Sequence, residues 1–322
     1  MKSRLGFCFW VFMLCSFIAC RDNSLEARAL RGDPAAQNDL GVKYNSGEGV
    51  LQNHQEAARW FTLAAEQGFA LAQFNLGVKY ESGEGVLQNH QEAAKWFRLA
   101  AEQGSANAQF NLGVQYDSGE GVPQNNEEAA KWFRLAAEQG NALAQYNLGG
   151  KYDRGEGVSQ NHQEAARWYR LAAEQGAAMA QFNLGLMYFS GEGVPQNHEE
   201  AARWYRLAAE QGDAIAQFNL AGMYKRGEGV PQNDQEALKW CKLSAEQGFS
   251  RAQYQLGRMY EQGQGVSQDE ISAFVWYNLS AASGEEKHMD KRDELKRTLS
   301  EDKLVIAENL SREIQQRIET NL

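Results

Sequence analysis

Along most of the chain apolar residues return at helical spacing, and the helices they predict come in pairs. Ala72, Leu76 and Tyr80 fall at i, i+4 and i+8, which is one stripe of a helix, with Gly77 on its edge where a second helix can approach. Gly83 and Gly85 follow, and glycine accepts the left-handed backbone that ends helices. Asn89, with Glu92 three residues on, then reads as an N-cap with a capping-box partner. It opens a second helix whose buried side is Ala93, Trp96, Phe97, Ala100 and Ala101, closed by Glu102-Gln103-Gly104. Neither helix can bury its stripe alone, so each pair must stack on the next.

The pattern is periodic. The second glycine of a Gly-x-Gly-Val phrase falls at Gly49, Gly85, Gly121, Gly157, Gly193, Gly229 and Gly265, always 36 residues apart. Self-similarity at that period specifies a solenoid. The expected fold is therefore all-α, with seven repeats over 35–284. The segment from Ser24 to Gly32 matches the tail of a second helix and reads as a half-repeat over the first hairpin. Beyond Gly284 the phrase disappears, and 285–298 and 301–318 read as two capping helices with charged outer faces.

Composition narrows the partner. A net charge of −10 argues against nucleic acid, whose phosphates need a basic stripe. The first residues, MKSRLGFCFWVFMLCSFIAC, form a basic start, an apolar run and a small residue before Cys20, which is the layout of a signal peptide over 1–19. Phe17-Ile18-Ala19-Cys20 resembles a bacterial lipobox, in which Cys20 is acylated. Residues 20–34 would then be tether and half-repeat cap. Arg21 after the cysteine leans towards the outer membrane, and a soluble periplasmic or secreted protein is the alternative. Cys241 stands where other copies carry Phe or Tyr after Trp, so it reads as a buried thiol.

The phrase A-x-A-Q-F-N-L-G-x-x-Y-x-x-G-x-G-V-x-x-x-x-x-E-A-A-x-W-F-x-L-A-A-E-Q-G resembles the Sel1-like repeat, a relative of the tetratricopeptide repeat with a longer turn. The resemblance implies a right-handed superhelix that binds a protein or peptide, as an envelope adaptor or as an immunity protein against a secreted toxin. No cofactor is expected, membrane contact is expected only through the lipid anchor, and the protein is expected to be a monomer. Cysteine-rich relatives have been linked to β-lactam hydrolysis. Here Ser300 and Lys303 form the single Ser-x-x-Lys, no Lys-Thr-Gly or Ser-Asp-Asn accompanies it, and the paired cysteines are missing, so no catalytic residue is assigned and β-lactam hydrolysis stands as the remote alternative.

Other motifs have a structural account. The Gly-x-Gly turn follows a helix and holds Glu48, Glu84, Glu120, Glu156, Glu192 and Glu228, which would repel phosphate. His54, His90, His162 and His198 recur once per hairpin, which by itself cannot converge on a metal, and they read as solvated residues near caps. The Trp series from Trp60 to Trp276 reads as core. The groove positions of the related tetratricopeptide hairpin select Phe74, Asn75, Val78 and Glu81, then Asn111, Val114, Asp117, Asn147, Asp153, Asn183, Leu186, Phe189, Asn219 and Lys225. Asn amides in a row could pair with a peptide backbone or could bond the neighbouring hairpin. The outer rows vary inside otherwise copied units, acidic at Glu81, Asp117 and Asp153. Leu186, Met187 and Phe189 are expected to form an apolar patch that faces away from the core stripe.

Overall fold

The computed structural model describes residues 24–321, and these hold seventeen helices and no strand. The signal peptide and Cys20 lie outside the described residues. After α1 (Leu25–Leu30), the first helices of the seven repeats are α2 (Pro34–Ser46), α4 (Ala70–Ser82), α6 (Ala106–Ser118), α8 (Ala142–Arg154), α10 (Ala178–Ser190), α12 (Ala214–Arg226) and α14 (Ser250–Gln262). Their partners are α3 (His54–Glu66), α5 (His90–Glu102), α7 (Asn126–Glu138), α9 (His162–Glu174), α11 (His198–Glu210), α13 (Asp234–Glu246) and α15 (Glu270–Ala281). The chain is an all-helical solenoid of hairpins. It divides into two compact units, one running to Ala144 and including Gly155–Ser159, the other formed by Gln145–Arg154 and the chain from Gln160 onward.

Inside every hairpin but the sixth, an aromatic ring of the second helix lies directly on a glycine of the first. The predicted stripe is core, with Ala72 and Leu76 fully buried. Gly77 lets Phe97 lie against the first helix so closely that a Cβ there would stand 2.6 Å from the ring. Phe74 packs on the same ring at 5.9 Å between centroids. Burying one such side chain contributes about 1.5–3 kcal/mol, and the arrangement recurs at Gly113 and Phe133, and at Gly185 and Tyr205.

Between hairpins the link is a buried glutamine that the sequence reading passed over. Gln73 donates to the Ala65 carbonyl of the preceding hairpin at 3.2 Å and accepts from Gln103 of its own at 2.7 Å. Gln109 and Gln139 repeat the relay, as do Gln181 and Gln211. A buried amide must be satisfied, so these residues fix the spacing of three helices at once.

The Gly-x-Gly turn has two structural duties. Gly83 ends α4 in the left-handed region at φ 76°, and Gly85 continues at φ 80°. Gly85 also lies directly against the His54 carbonyl at the start of the preceding second helix, leaving no room for a side chain. Gly49 in the first repeat has the same backbone, and a Cβ there would meet nothing within 4 Å. Asn89 caps α5 as expected, accepting from the Gln91 and Glu92 amides. The reciprocal half of the capping box is replaced: the Asn89 amide donates to the Tyr80 carbonyl at 2.9 Å, and Glu92 reaches Lys95 instead.

At the ends, α1 packs on α2, and both α16 (Glu286–Thr298) and α17 (Glu301–Asn321) pack on α15. Leu310 and Ile314 of α17 lie on the last core cluster, and Ile318 is buried. The Trp side chains are buried from Trp168 to Trp276 and half-buried at Trp60, Trp96 and Trp132.

Candidate functional site

The residues selected for the groove fall into three groups. Val78, Val114 and Leu186 are exposed, at 37%, 38% and 45%, although each sits two residues after a fully buried leucine, Leu76, Leu112 or Leu184. Phe74, Glu81, Asp117, Asp153, Phe189 and Lys225 are half-buried, as are Asn75, Asn111, Asn147, Asn183 and Asn219.

Part of the Asn row is engaged with the protein itself. Asn75 donates to Asn38 Oδ1 of the preceding hairpin at 2.9 Å. Asn183 bonds the Tyr169 hydroxyl and Asn219 the Tyr205 hydroxyl, each reaching back to the previous second helix. Burial pushes the Tyr205 hydroxyl up to about 12, with the Asn219 bond opposing it. The variable outer row is engaged too, since Glu81 accepts from Gln115 of the next repeat at 2.7 Å.

The patch around Leu186 differs from expectation. Met187 is 5% exposed and belongs to the core, because the register that presents Leu186 turns the next residue inward. Phe189 is half-buried with its ring edge-on to His198 at 5.1 Å, so it does not face away from the core.

Leu186 and Phe189 instead form the rim of a cleft of about 250 Å³ that runs into the sixth repeat. Asn219 and Lys225 line the same cleft, so four of the sequence-selected residues converge on it. Its floor is Ala221, Met223, Ala237, Cys241 and Met259, all buried. Burial holds the Lys225 ammonium below the ordinary lysine value, and the neighbouring Arg258 and Arg226 add to the depression against Asp234 and Cys241. Burial pushes the Cys241 thiol up to about 12, which leaves it an inert apolar surface, and its Sγ approaches the Ala252 carbonyl at 3.3 Å.

The histidines are not free caps. They are half-buried between the end of one helix and the glycine turn of the following repeat. His162 Nδ1 lies 2.9 Å from Asp153 and its Nε2 lies 3.2 Å from Glu192. His54 Nδ1 meets Asn45 at 3.1 Å, and Glu84 pairs with Lys79 at 2.7 Å, which draws the Glu84 carboxyl below its usual range. Around His90, ligand atoms of Glu81, His90 and Glu120 all lie within 4.8 Å of one another. Counting one His per hairpin overlooked these carboxylates, which the turn brings to it. Such a trio can share a proton or hold a divalent cation; Glu81 is already bonded to Gln115, and its place in the repeat is that of a contact between hairpins. Lys303 pairs with Glu270 at 2.8 Å.

No helix among the described residues is long and apolar enough to cross a membrane. The Sel1 repeat family model matches residues 34–69, 70–105, 106–141, 142–176, 178–213, 214–249 and 250–285. A Sel1 repeat protein from Oxalobacter formigenes has a similar structure, 33% identical, covering 84% of this chain and 78% of that one with a TM-score of 0.67. A protective antigen of uropathogenic Escherichia coli with an SLR fold is 28% identical over 91% of this chain and 86% of that one, TM-score 0.53. An immunity protein from Pseudomonas aeruginosa is similar at 21% identity over 66% and 81%, with a TM-score of 0.37, too distant to carry a functional argument. Among functionally curated proteins none matches this sequence. With its copied hairpins matched one after another, the chain belongs to the Sel1 repeat family.

Proposed function

We propose that the protein is an exported, lipid-anchored scaffold of the bacterial envelope that works by binding another protein on the faces of its first helices. Sel1 repeats are a protein-interaction scaffold, and the observation that carries the reading for this chain is the cleft at Leu186, Phe189, Asn219 and Lys225. It joins an apolar floor to a few polar groups at the rim, the composition of a specific binding site. Burial pushes the Cys241 thiol at its floor up to about 12, as befits an apolar wall, and Lys303 is turned to Glu270. The adaptor reading rests on the repeats, and the envelope location on the Cys20 motif, with the protective antigen among its relatives in support.

Leu186→Asp tests the binding face. An unpaired carboxylate at an apolar contact should weaken partner binding at least about ten-fold, with helical content unchanged because Leu186 is half-exposed. Binding equal to wild type would move the site elsewhere. The anchor is tested apart from it, by Cys20→Ala, which should block processing or release the protein from membranes. A mature wild-type N-terminus beyond Cys20 and free of lipid would contradict the anchor.

A further inference from the structure

The cleft lies where this protein lacks one of its own rings. In the other six repeats a Phe or Tyr of the second helix rests on a glycine of the first, with the nearest ring carbon 2.6 to 2.8 Å from where a Cβ would stand. In the sixth repeat both members of the pair are exchanged: Ala221 replaces the glycine and Cys241 the ring. An added methyl and a thiol do not fill the space of a phenyl group. Phe218, whose counterparts Phe74, Phe110, Tyr146 and Phe182 pack tilted against that ring at 5.9 to 6.0 Å, lies instead edge-on to Phe249 at 5.4 Å.

The rim of the cleft is cationic in an acidic chain. The outer groove row that reads Glu81, Asp117, Asp153 earlier becomes Lys225 here, beside Arg226 and Arg258. Arg226 is paired with Glu228 at 2.9 Å. Gln255 also lines the cleft, and its buried Nε2 has no partner within the protein, an unmet donor of the kind that a ligand carbonyl satisfies.

We infer that the sixth repeat is a receptor for one aromatic side chain of an acidic partner segment. The partner's ring takes the space that Cys241 leaves, its flanking carboxylate meets Lys225 and Arg258, and its backbone carbonyl accepts from Gln255. The inference rests on the binding-face reading above and names the chemistry that face selects.

Three short peptides test it on the whole chain: N-acetyl-Asp-Phe-Asp-amide, the same peptide with Ala for Phe, and the same with Asn for both Asp. Binding is followed by chemical-shift perturbation at Leu186, Lys225 and Gln255. The first peptide should bind at least ten-fold more tightly than either control. Restoring the pair of the other repeats, Ala221→Gly with Cys241→Phe, should abolish the preference for Phe over Ala without lowering the melting temperature, since the same pair is accommodated six times in the chain. Lys225→Met should weaken the preference for Asp over Asn several-fold, with Arg258 keeping part of it, and leave that for Phe. Equal binding of the Phe and Ala peptides by wild type, or an undiminished Phe preference in the restored pair, overturns the inference. Those results would leave the binding face standing; that reading falls if Leu186→Asp leaves partner binding intact, whatever the peptides do.

Discussion

The second and sixth repeats are built on one frame and differ at its centre. Both have a glycine turn docked on the preceding second helix, at Gly85 and Gly229, and both have an Asn cap, at Asn89 and Asn233. Both keep the glutamine relay, through Gln73 and Gln103 in one and Gln217 and Gln247 in the other. At the centre Gly77 carries Phe97, whereas Ala221 faces Cys241. The frame is what makes hairpins stack, so it is copied. The central pair only fills space, so it can be exchanged as a pair and leave a cleft behind.

The largest effect should come from the shared frame. Gly85→Ala and Gly229→Ala place a methyl against a carbonyl at a positive φ, and each should cost more than about 4 kcal/mol. Gly49→Ala has the same backbone strain and open space, and should cost only about 1–2 kcal/mol in urea unfolding. Equal costs at all three sites would show that docking of the turn contributes nothing.

Next comes the central pair. Phe97→Cys empties a fully packed site and should cost about 3–5 kcal/mol. Gly77→Ala alone should cost about 1–3 kcal/mol by forcing the ring away. Combined, they rebuild the sixth repeat's pair in the second, and the total should fall below the sum by at least about 1 kcal/mol. Strict additivity would break the comparison.

Smaller effects concern the cleft itself. Cys241 should resist thiol reagents in the native protein at pH 8 and react only on unfolding, because burial holds its thiol near 12. Lys225 must be charged to hold a carboxylate. Its value in the folded protein is lowered, so binding of an acidic peptide should be complete below that value and fade as pH rises through it, before reaching the ordinary lysine value of 10.5. A pH profile that stays flat up to 10.5 would remove Lys225 from the contact.

Most of the frame was legible because helical spacing, caps and glycine turns are local signals, and seven copies make each one visible. The core at Ala72 and Leu76 and the Asn89 cap follow directly from them. The Gln73 relay was not legible, since a buried amide that links three helices looks in sequence like any surface glutamine. The histidines were misplaced for a related reason. Their partners Asp153 and Glu192 lie 9 residues before and 30 after His162, and only the turn brings them together. Leu186, Phe189, Asn219 and Lys225 were selected by repeat position, but the cleft that unites them was not. Its signal was present in the paired change at Ala221 and Cys241, of which only the cysteine had been read.

The central claim is that partners dock on the first-helix face and not on the second helices. Site-specific photo-crosslinking in the cells that make the protein tests it most directly, with a benzoyl-phenylalanine in place of Leu186 or Val114 on one face and of Lys131 or Arg203 on the other. The account predicts a discrete adduct from Leu186, at most a weaker one from Val114, and none from Lys131 or Arg203. An adduct confined to the second-helix positions would contradict it.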